Sequence, residues 1–392
     1  GTGSSTIVAT GHITGGSGQL NQTKDSDGIY AFNHTTATDL SISAANVTGL
    51  DDAIFVENYG TGALSINLTG DVVSMSTDES DNDYSHGISA QNFGTNSVIS
   101  TSGNVTSNDG GIFSWNDASG ALSITSTGNV TASGWDGIYA DTADWTSGSK
   151  ASSNATDINI TANNVTAYGN GINTNHYGTG STTINATGAI IGGSGQVDQT
   201  VSAEGIRAFN GTTASNITIT ASSVEGLGHG LVANNLGTGI TTVMVSGSVI
   251  GSGERDGDGA KGIHTKGAGS FITVAGTGSV TGDGEGIETT DNADTLTVNG
   301  SVIGVNGTAI KLNGGADTVN IGVNATVSGI IDGGAGADVI KFAAVKSAAT
   351  VTSLASYTEI AVNYGAYTNT IRLSNIEQAE FLDDNLIIPD IA

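Results

Sequence analysis

The sequence predicts an all-β fold, a right-handed parallel β-helix solenoid with three short strands per coil, about 12–13 coils and a C-terminal cap. Three observations predict it. First, one phrase recurs along nearly all of the 392 residues: Gly-Ile, an Asn four residues after the Ile, often Gly-Thr-Gly, an apolar-alternating stretch, then Gly-Asn-Val-Thr. Its anchor stands at Ile29, Ile54, Ile88, Ile112, Ile138, Ile172, Ile206, Leu231, Ile263, Ile287 and Ile310, spaced 23 to 34 residues apart. A short unit lengthened in places is what a solenoid with loops produces. Second, residues 188–250 match residues 11–73 at a constant offset of 177, as in Gly28-Ile29-Tyr30-Ala31-Phe32-Asn33 against Gly205-Ile206-Arg207-Ala208-Phe209-Asn210. A duplicated block of coils explains this most simply. Third, sixty Gly, one Pro and abundant Ser, Thr, Asn and Asp disfavour helices, while Val, Ile and Thr favour strands.

Within one copy, residues 111–131, three strands are expected at 112–116, 121–125 and 129–131, with Gly, Asn and Asp at the turns. Successive strand side chains point to opposite faces. The anchors, together with Ala31, Ser89, Ser114, Ala140, Ala208 and Ala233, are therefore assigned inward. In the second strand Leu64 and Ile66, Leu122 and Ile124, and Leu296 and Val298 are inward too. The recurring Asn33, Asn58, Asn92, Asn116, Asn210 and Asn235 fall at the following turn. There an amide can bond the copies above and below, forming a ladder. The many Asn-x-Thr triplets, such as Asn104-Val105-Thr106, recur with the coil and are read as structural rather than as glycosylation sites. Longer copies place insertions near 76–85, 141–154, 193–204 and 251–261, the first strongly acidic. Residues 1–342 form the solenoid. Residues 343–392 have fewer Gly and longer apolar stretches, as expected of a segment that covers the exposed strand edges of the last coil. The chain opens on Gly1-Thr2-Gly3-Ser4-Ser5 and soon enters repeats, so it is expected to be an excised segment or one that stacks end to end.

A net charge of −27, from 37 acidic against 10 basic residues, argues against nucleic acid and anionic membrane as partners. No apolar run is long enough to span a bilayer, so no direct membrane insertion of this segment is expected. The absence of Cys suits a large exported chain.

Outward positions of the first strand carry Tyr30, Phe32, Phe55, Phe113, Trp115, Tyr139 and Phe209. Stacked at the coil spacing they form an interrupted aromatic stripe, either a contact site for a sugar ring or a partner solenoid, or a surface covered by an overlying loop. Near the end, Asp294, Asp317 and Asp338 repeat in an Ala-Asp phrase and fall in one column. Their repulsion calls for amide donors or a bound cation. Gly333-Gly334-Ala335-Gly336-Ala337-Asp338-Val339-Ile340-Lys341 fits the calcium-binding nonapeptide in full and Gly314-Gly315-Ala316-Asp317 in part, so calcium is a candidate ligand of the three Asp.

Residues 290–342, with Leu312-Asn313-Gly314-Gly315-Ala316-Asp317-Thr318-Val319 and the Gly-rich run to Asp338, then a less Gly-rich tail, resemble the last passenger coils of bacterial autotransporters. The resemblance implies a parallel β-helix exported across an outer membrane to the cell surface or beyond. It also implies an adhesin that self-associates, as in aggregation or biofilm, or binds a host-cell protein or glycan through its long faces. A signal peptide and a barrel, which belong to the full family pattern, are not expected within residues 1–392. A matrix, filament or surface-layer subunit assembling end to end is the alternative. A polysaccharide-degrading β-helix enzyme, in that case a glycoside hydrolase, is a second. Enzyme chemistry is not expected. Arg207, Arg255 and Arg372 are the only Arg, and none sits with Lys on matched faces of adjacent coils. Asp51, Asp52, Asp136 and Asp141 occupy turns or outer positions without a paired carboxylate that stands out, and Asp favours turns for conformational reasons. His86, His176, His229 and His264 show no metal-ligand spacing.

Overall fold

The computed structural model describes residues 2–16, 26–75, 85–144, 150–196, 203–253 and 259–388. The anchor residues define the fold. Parallel register runs Ile29, Ile54, Ile88, Ile112, Ile138, Ile172, Ile206, Leu231, Ile263, Ile287 and Ile310, and continues through Ile331 to Leu373. These residues are buried and form the spine of one continuous apolar cluster. The molecule is a parallel β-helix in which each coil pairs with the next at the same three positions.

The first face is built from strands such as Ile29–Asn33, Ile54–Asn58, Ile206–Asn210 and Leu231–Asn235. The second begins at Ser5–Ala9 and continues through Leu40–Ala44 and Leu64–Leu68 to Val339–Phe342. A third, shorter face includes Val47–Gly49, Val72–Ser74 and Val105–Ser107. In several coils the second and third strands merge, as in Leu122–Ala132 and Thr182–Gly192, with a register shift at the corner. Alternation places Leu40, Ile42 and Ala44 inside and Ser41 and Ser43 outside. One inward assignment is corrected: Ala90, not Ser89, lies two residues after Ile88 and fills the core. Ser89 pairs with Phe55 and Phe113 in the outward column.

Glycines recur because successive turns stack backbone on backbone. A Cβ on Gly180 would lie 1.6 Å from the Thr156 carbonyl oxygen of the preceding coil, so no side chain fits there. Gly334, at φ +80, is excluded from bearing a side chain both by its backbone conformation and by the Asn313 carbonyl oxygen 1.9 Å from where a Cβ would be.

The Asn column is a continuous amide ladder over its first four members. Asn33 Nδ2 donates to Asn58 Oδ1 at 3.1 Å, Asn58 to Asn92 at 2.8 Å, and Asn92 to Asn116 at 2.7 Å. Thr142 and His176 then occupy the column, joined through Oγ1 and Nδ1 at 2.9 Å, before Asn210 resumes it.

After Phe342 the pairing changes sense. Ala349–Ser353, Thr358–Asn363 and Thr368–Ser374 form an antiparallel meander, and the last of these joins the helix by parallel pairing to Ile330, Ile331 and Asp332. Gln378–Glu380 pairs in parallel with Val339–Lys341. Ile360, Ile371, Leu373 and Phe381 bury against the last coil, with Phe381 stacked on Phe342 at 5.4 Å. Among the described residues no helix is long and apolar enough to cross a membrane. The centres of all four expected insertions, including most of the acidic one, lie outside the described residues.

Candidate functional site

The outer surface divides into faces of different chemistry. On the second face, outward positions run from Thr6 and Val8 through Ser41 and Ser43, Ser123 and Thr125, Thr218 and Thr220, to Thr318 and Asn320. Every outward residue in these two tracks is Ser, Thr or Asn except Val8, Val98, Met244 and Phe271. None is ionisable, in a chain with a net charge of −27. Adjacent coils repeat about every 4.8 Å and side chains along a strand about every 6.8 Å, so the face is a regular, flat, neutral array of hydroxyls and amides.

The first face carries the aromatic residues in its N-terminal half. Tyr30 and Phe32 are exposed, at 61% and 49%, while Phe55, Phe113, Trp115, Tyr139 and Phe209 are half-buried. Tyr30 stacks on Phe55 at 5.5 Å with the rings parallel, and Phe113 stacks on Tyr139 at 5.2 Å. Sequence reasoning missed Tyr59, Phe93, Trp135 and Tyr177, which extend these contacts from the adjoining turns. Tyr59 joins Phe32 to Phe93, and Phe93 meets Trp115 edge-on at 5.3 Å. Tyr177 lies 5.3 Å from Phe209. The signal was present in the repeats, since Tyr59, Phe93 and Tyr177 each directly follow a member of the inward amide column.

The stripe is partly covered. The stem of the insertion after Asp141 folds back through an antiparallel bridge between Asp144 and Ala151. Trp115 Nε1 donates to the Ala143 carbonyl at 2.7 Å. Lys150 clamps the stem, with its Nζ 2.6 Å from Asp141 Oδ2 and donating to the Tyr139 hydroxyl at 3.2 Å, over the rings of Tyr139 and Tyr177. Burial and the Asp141 carboxylate push the Tyr139 phenol up. An exposed aromatic surface therefore remains around Tyr30 and Phe32, and the rest is built into the wall.

The three Asp share a column, and that column faces inward. Asp294, Asp317 and Asp338 align with Ser270 and, coil by coil, with Leu40 and Leu64, and they are at most 1% exposed. Each carboxylate accepts the backbone amide of the residue one coil earlier. Asp338 Oδ1 takes Asp317 N at 2.9 Å, Asp317 Oδ1 takes Asp294 N at 2.7 Å, and Asp294 Oδ1 takes Ser270 N at 2.5 Å. Glu377 completes the run by accepting Asp338 N at 2.6 Å. The remaining oxygens, Asp317 Oδ2 and Asp338 Oδ2, are buried without a hydrogen-bond partner. Burial pushes Asp317 up to about 7 and Asp338 up to about 6, with neighbouring carboxylates adding to the rise.

As calcium ligands this set does not fit. Calcium takes six to eight oxygens, whereas here two spare oxygens sit sealed inside the coil. Among the described residues no group of three or more His, Cys, Asp or Glu side chains is arranged to hold a metal ion. The glycines of the nonapeptide are accounted for by close turn stacking, since Gly314–Gly315 pairs in parallel with Ala335–Gly336.

The remaining acidic candidates hold turns. Asp52, raised by burial, accepts the His86 amide, and Asp136, likewise raised, accepts Asn170 N at 2.6 Å and Asn173 Nδ2 at 2.8 Å. Asp51 Oδ1 accepts the Ser85 hydroxyl at 2.7 Å.

The C-terminal half of the first face replaces rings with charges. Arg207, Val232, His264, Glu288 and Lys311 occupy the track that Tyr30 and Phe55 begin. Phe209, Asn234 and Lys266 occupy the track that Phe32 begins. Between them opens a cavity of about 290 Å³ lined by Glu204, Arg207, Phe209, His229, Asn234 and Lys266, among others. Glu288 is held below its ordinary value: the desolvation that would raise it is outweighed by the Lys311 and Lys261 ammonium groups. Burial and Lys266 push His264 down, so its imidazole is neutral at pH 7.

No protein family, curated protein or solved structure matches the chain.

Proposed function

We propose that the chain is a cell-surface adhesin whose copies associate side by side through the second face. The observation that supports this is the absence of charge from that face between Thr6 and Asn320. Copies carrying −27 each repel one another. Two copies approach at least cost where the opposed surfaces are uncharged. A flat ladder of Ser, Thr and Asn offers both donors and acceptors at every coil, so two such faces can form many weak hydrogen bonds. Each contributes little, and length supplies the avidity.

The fold agrees with the resemblance of residues 290–342 to autotransporter passengers, and export to the outer surface of a bacterium is part of the proposal. Calcium is not, for the coordination reasons given above.

The test uses beads coated with the chain. Wild-type beads are expected to clump, and to clump equally with a chelator present. Beads bearing Thr218→Glu with Thr220→Glu are expected to stay dispersed. Clumping that survives both substitutions would place the adhesive surface elsewhere.

A further inference from the structure

We propose that the cavity between Arg207 and Lys266 is a subsite for a hexuronate residue of an acidic polysaccharide. It lies on the first face and stands apart from the lateral contact proposed above.

The charge pattern carries the argument. Among the described residues, Lys150, Lys261, Lys311, Lys341, Lys346 and Arg372 each lie in ion-pair reach of a carboxylate. Arg207 and Lys266 do not, and these two line the same cavity. In so acidic a chain, two cations left without acidic partners and directed into one concave site are best explained by an anion from outside.

Arg207 is preorganised for that role. One guanidinium nitrogen donates to Asn173 Oδ1 at 2.9 Å and to Asn175 Oδ1 at 3.1 Å, which fixes the plane without neutralising the charge. A fixed guanidinium presents paired N–H donors that match a carboxylate. Lys266, two coils further on, is exposed and supplies a second positive charge. Glu204 contributes a carboxylate to the wall but is buried at 7% exposure, and His229 and His264 meet edge to face at 5.3 Å beside it.

The rest of the lining specifies a sugar rather than a bare anion. Phe209 and Val232 give the cavity an apolar wall, and the Tyr177 ring backs Phe209. A pyranose presents such a wall with its C–H face. Asn234 adds a polar side chain to the lining. The lining is predominantly polar, which suits a hydroxyl-rich ligand, and Phe209 and Val232 are its apolar part. The volume of about 290 Å³ falls just below the usual range for small-ligand sites and suits one sugar residue rather than a long segment.

The experiment is calorimetric titration of the full chain with trigalacturonate, with neutral galactotriose and with triglutamate as controls. Trigalacturonate is expected to bind, more weakly as salt is raised, and galactotriose and triglutamate at least tenfold more weakly. Arg207→Ala and Lys266→Ala are each expected to weaken trigalacturonate binding at least tenfold. Lys266→Ala removes an exposed side chain, so its effect is read in a folded protein. Failure of wild type to bind, binding unchanged in both variants, or equal binding of triglutamate would overturn the proposal. Bead clumping by Arg207→Ala is expected to match wild type, so loss of the sugar site and loss of lateral association are read separately.

Discussion

Asn92 shows how a single residue ties three coils together. Its amide accepts from Asn58 and donates to Asn116, inside the wall and away from water. Asn92→Ala removes the acceptor of one Asn58 N–H, whose other N–H still reaches the Gly62 carbonyl, and the donor to Asn116 Oδ1, and is expected to cost about 1–3 kcal/mol. Hydrogen exchange would place the loss in the coils of Asn58, Asn92 and Asn116. The Asp column carries the opposite sign. Asp317 titrates near 7 in the folded chain, so it binds a proton that the unfolded chain releases near its ordinary value of 3.8. The stability it confers is therefore full below about pH 4 and falls as pH rises toward 7. Asp317→Asn keeps an acceptor for Asp294 N and removes the charge. It is expected to stabilise the C-terminal coils by about 1–2 kcal/mol at pH 8, less than the full shift because solvent screens part of it, and to do little at pH 4. Denaturation at the two pH values checks the sign.

At the scale of the element, the repeated phrase carries its own structural reasons. The Gly before most anchors, replaced by Ala53 before Ile54 and Ala309 before Ile310, lets the next coil stack, the anchor fills the core, and the Asn closes the turn. Ile172 is fully buried, and Ile172→Ala is expected to cost about 2–5 kcal/mol. In a solenoid that loss falls mainly on neighbouring coils, so fraying near Ile172 should precede global melting in hydrogen exchange. The anchor positions were legible because each core position repeats with the coil. The inward direction of Asp294 was legible too, since it stands two residues before the inward Leu296. The repulsion argument left amide donors and a bound cation as alternatives, and the donors are the backbone amides one coil away. The break in the Asn ladder at Thr142 and His176 was hidden by the insertion that interrupts those copies. Arg207 and Lys266 were hidden by distance, because they share a cavity while 59 positions apart in the chain. The duplication held the clue: it aligns Arg207 with Tyr30 and Phe209 with Phe32, marking an aromatic track that turns basic.

At the scale of the whole molecule, charge separates the faces. Acidic side chains sit at turns, on the other two faces and in the cap, and the second face stays uncharged from Thr6 to Asn320, one coil before Lys341. This division supports lateral pairing over end-on stacking, and its consequence is dependence on one face. Sedimentation velocity of the full chain over a wide concentration range, beside the variant with Thr218→Glu and Thr220→Glu, tests this most directly. The account predicts reversible, concentration-dependent association of the wild type, enhanced by salt that screens the net charge, and a monomeric variant. A wild type that stays monomeric at every concentration, or a variant that associates as well as wild type, would contradict it.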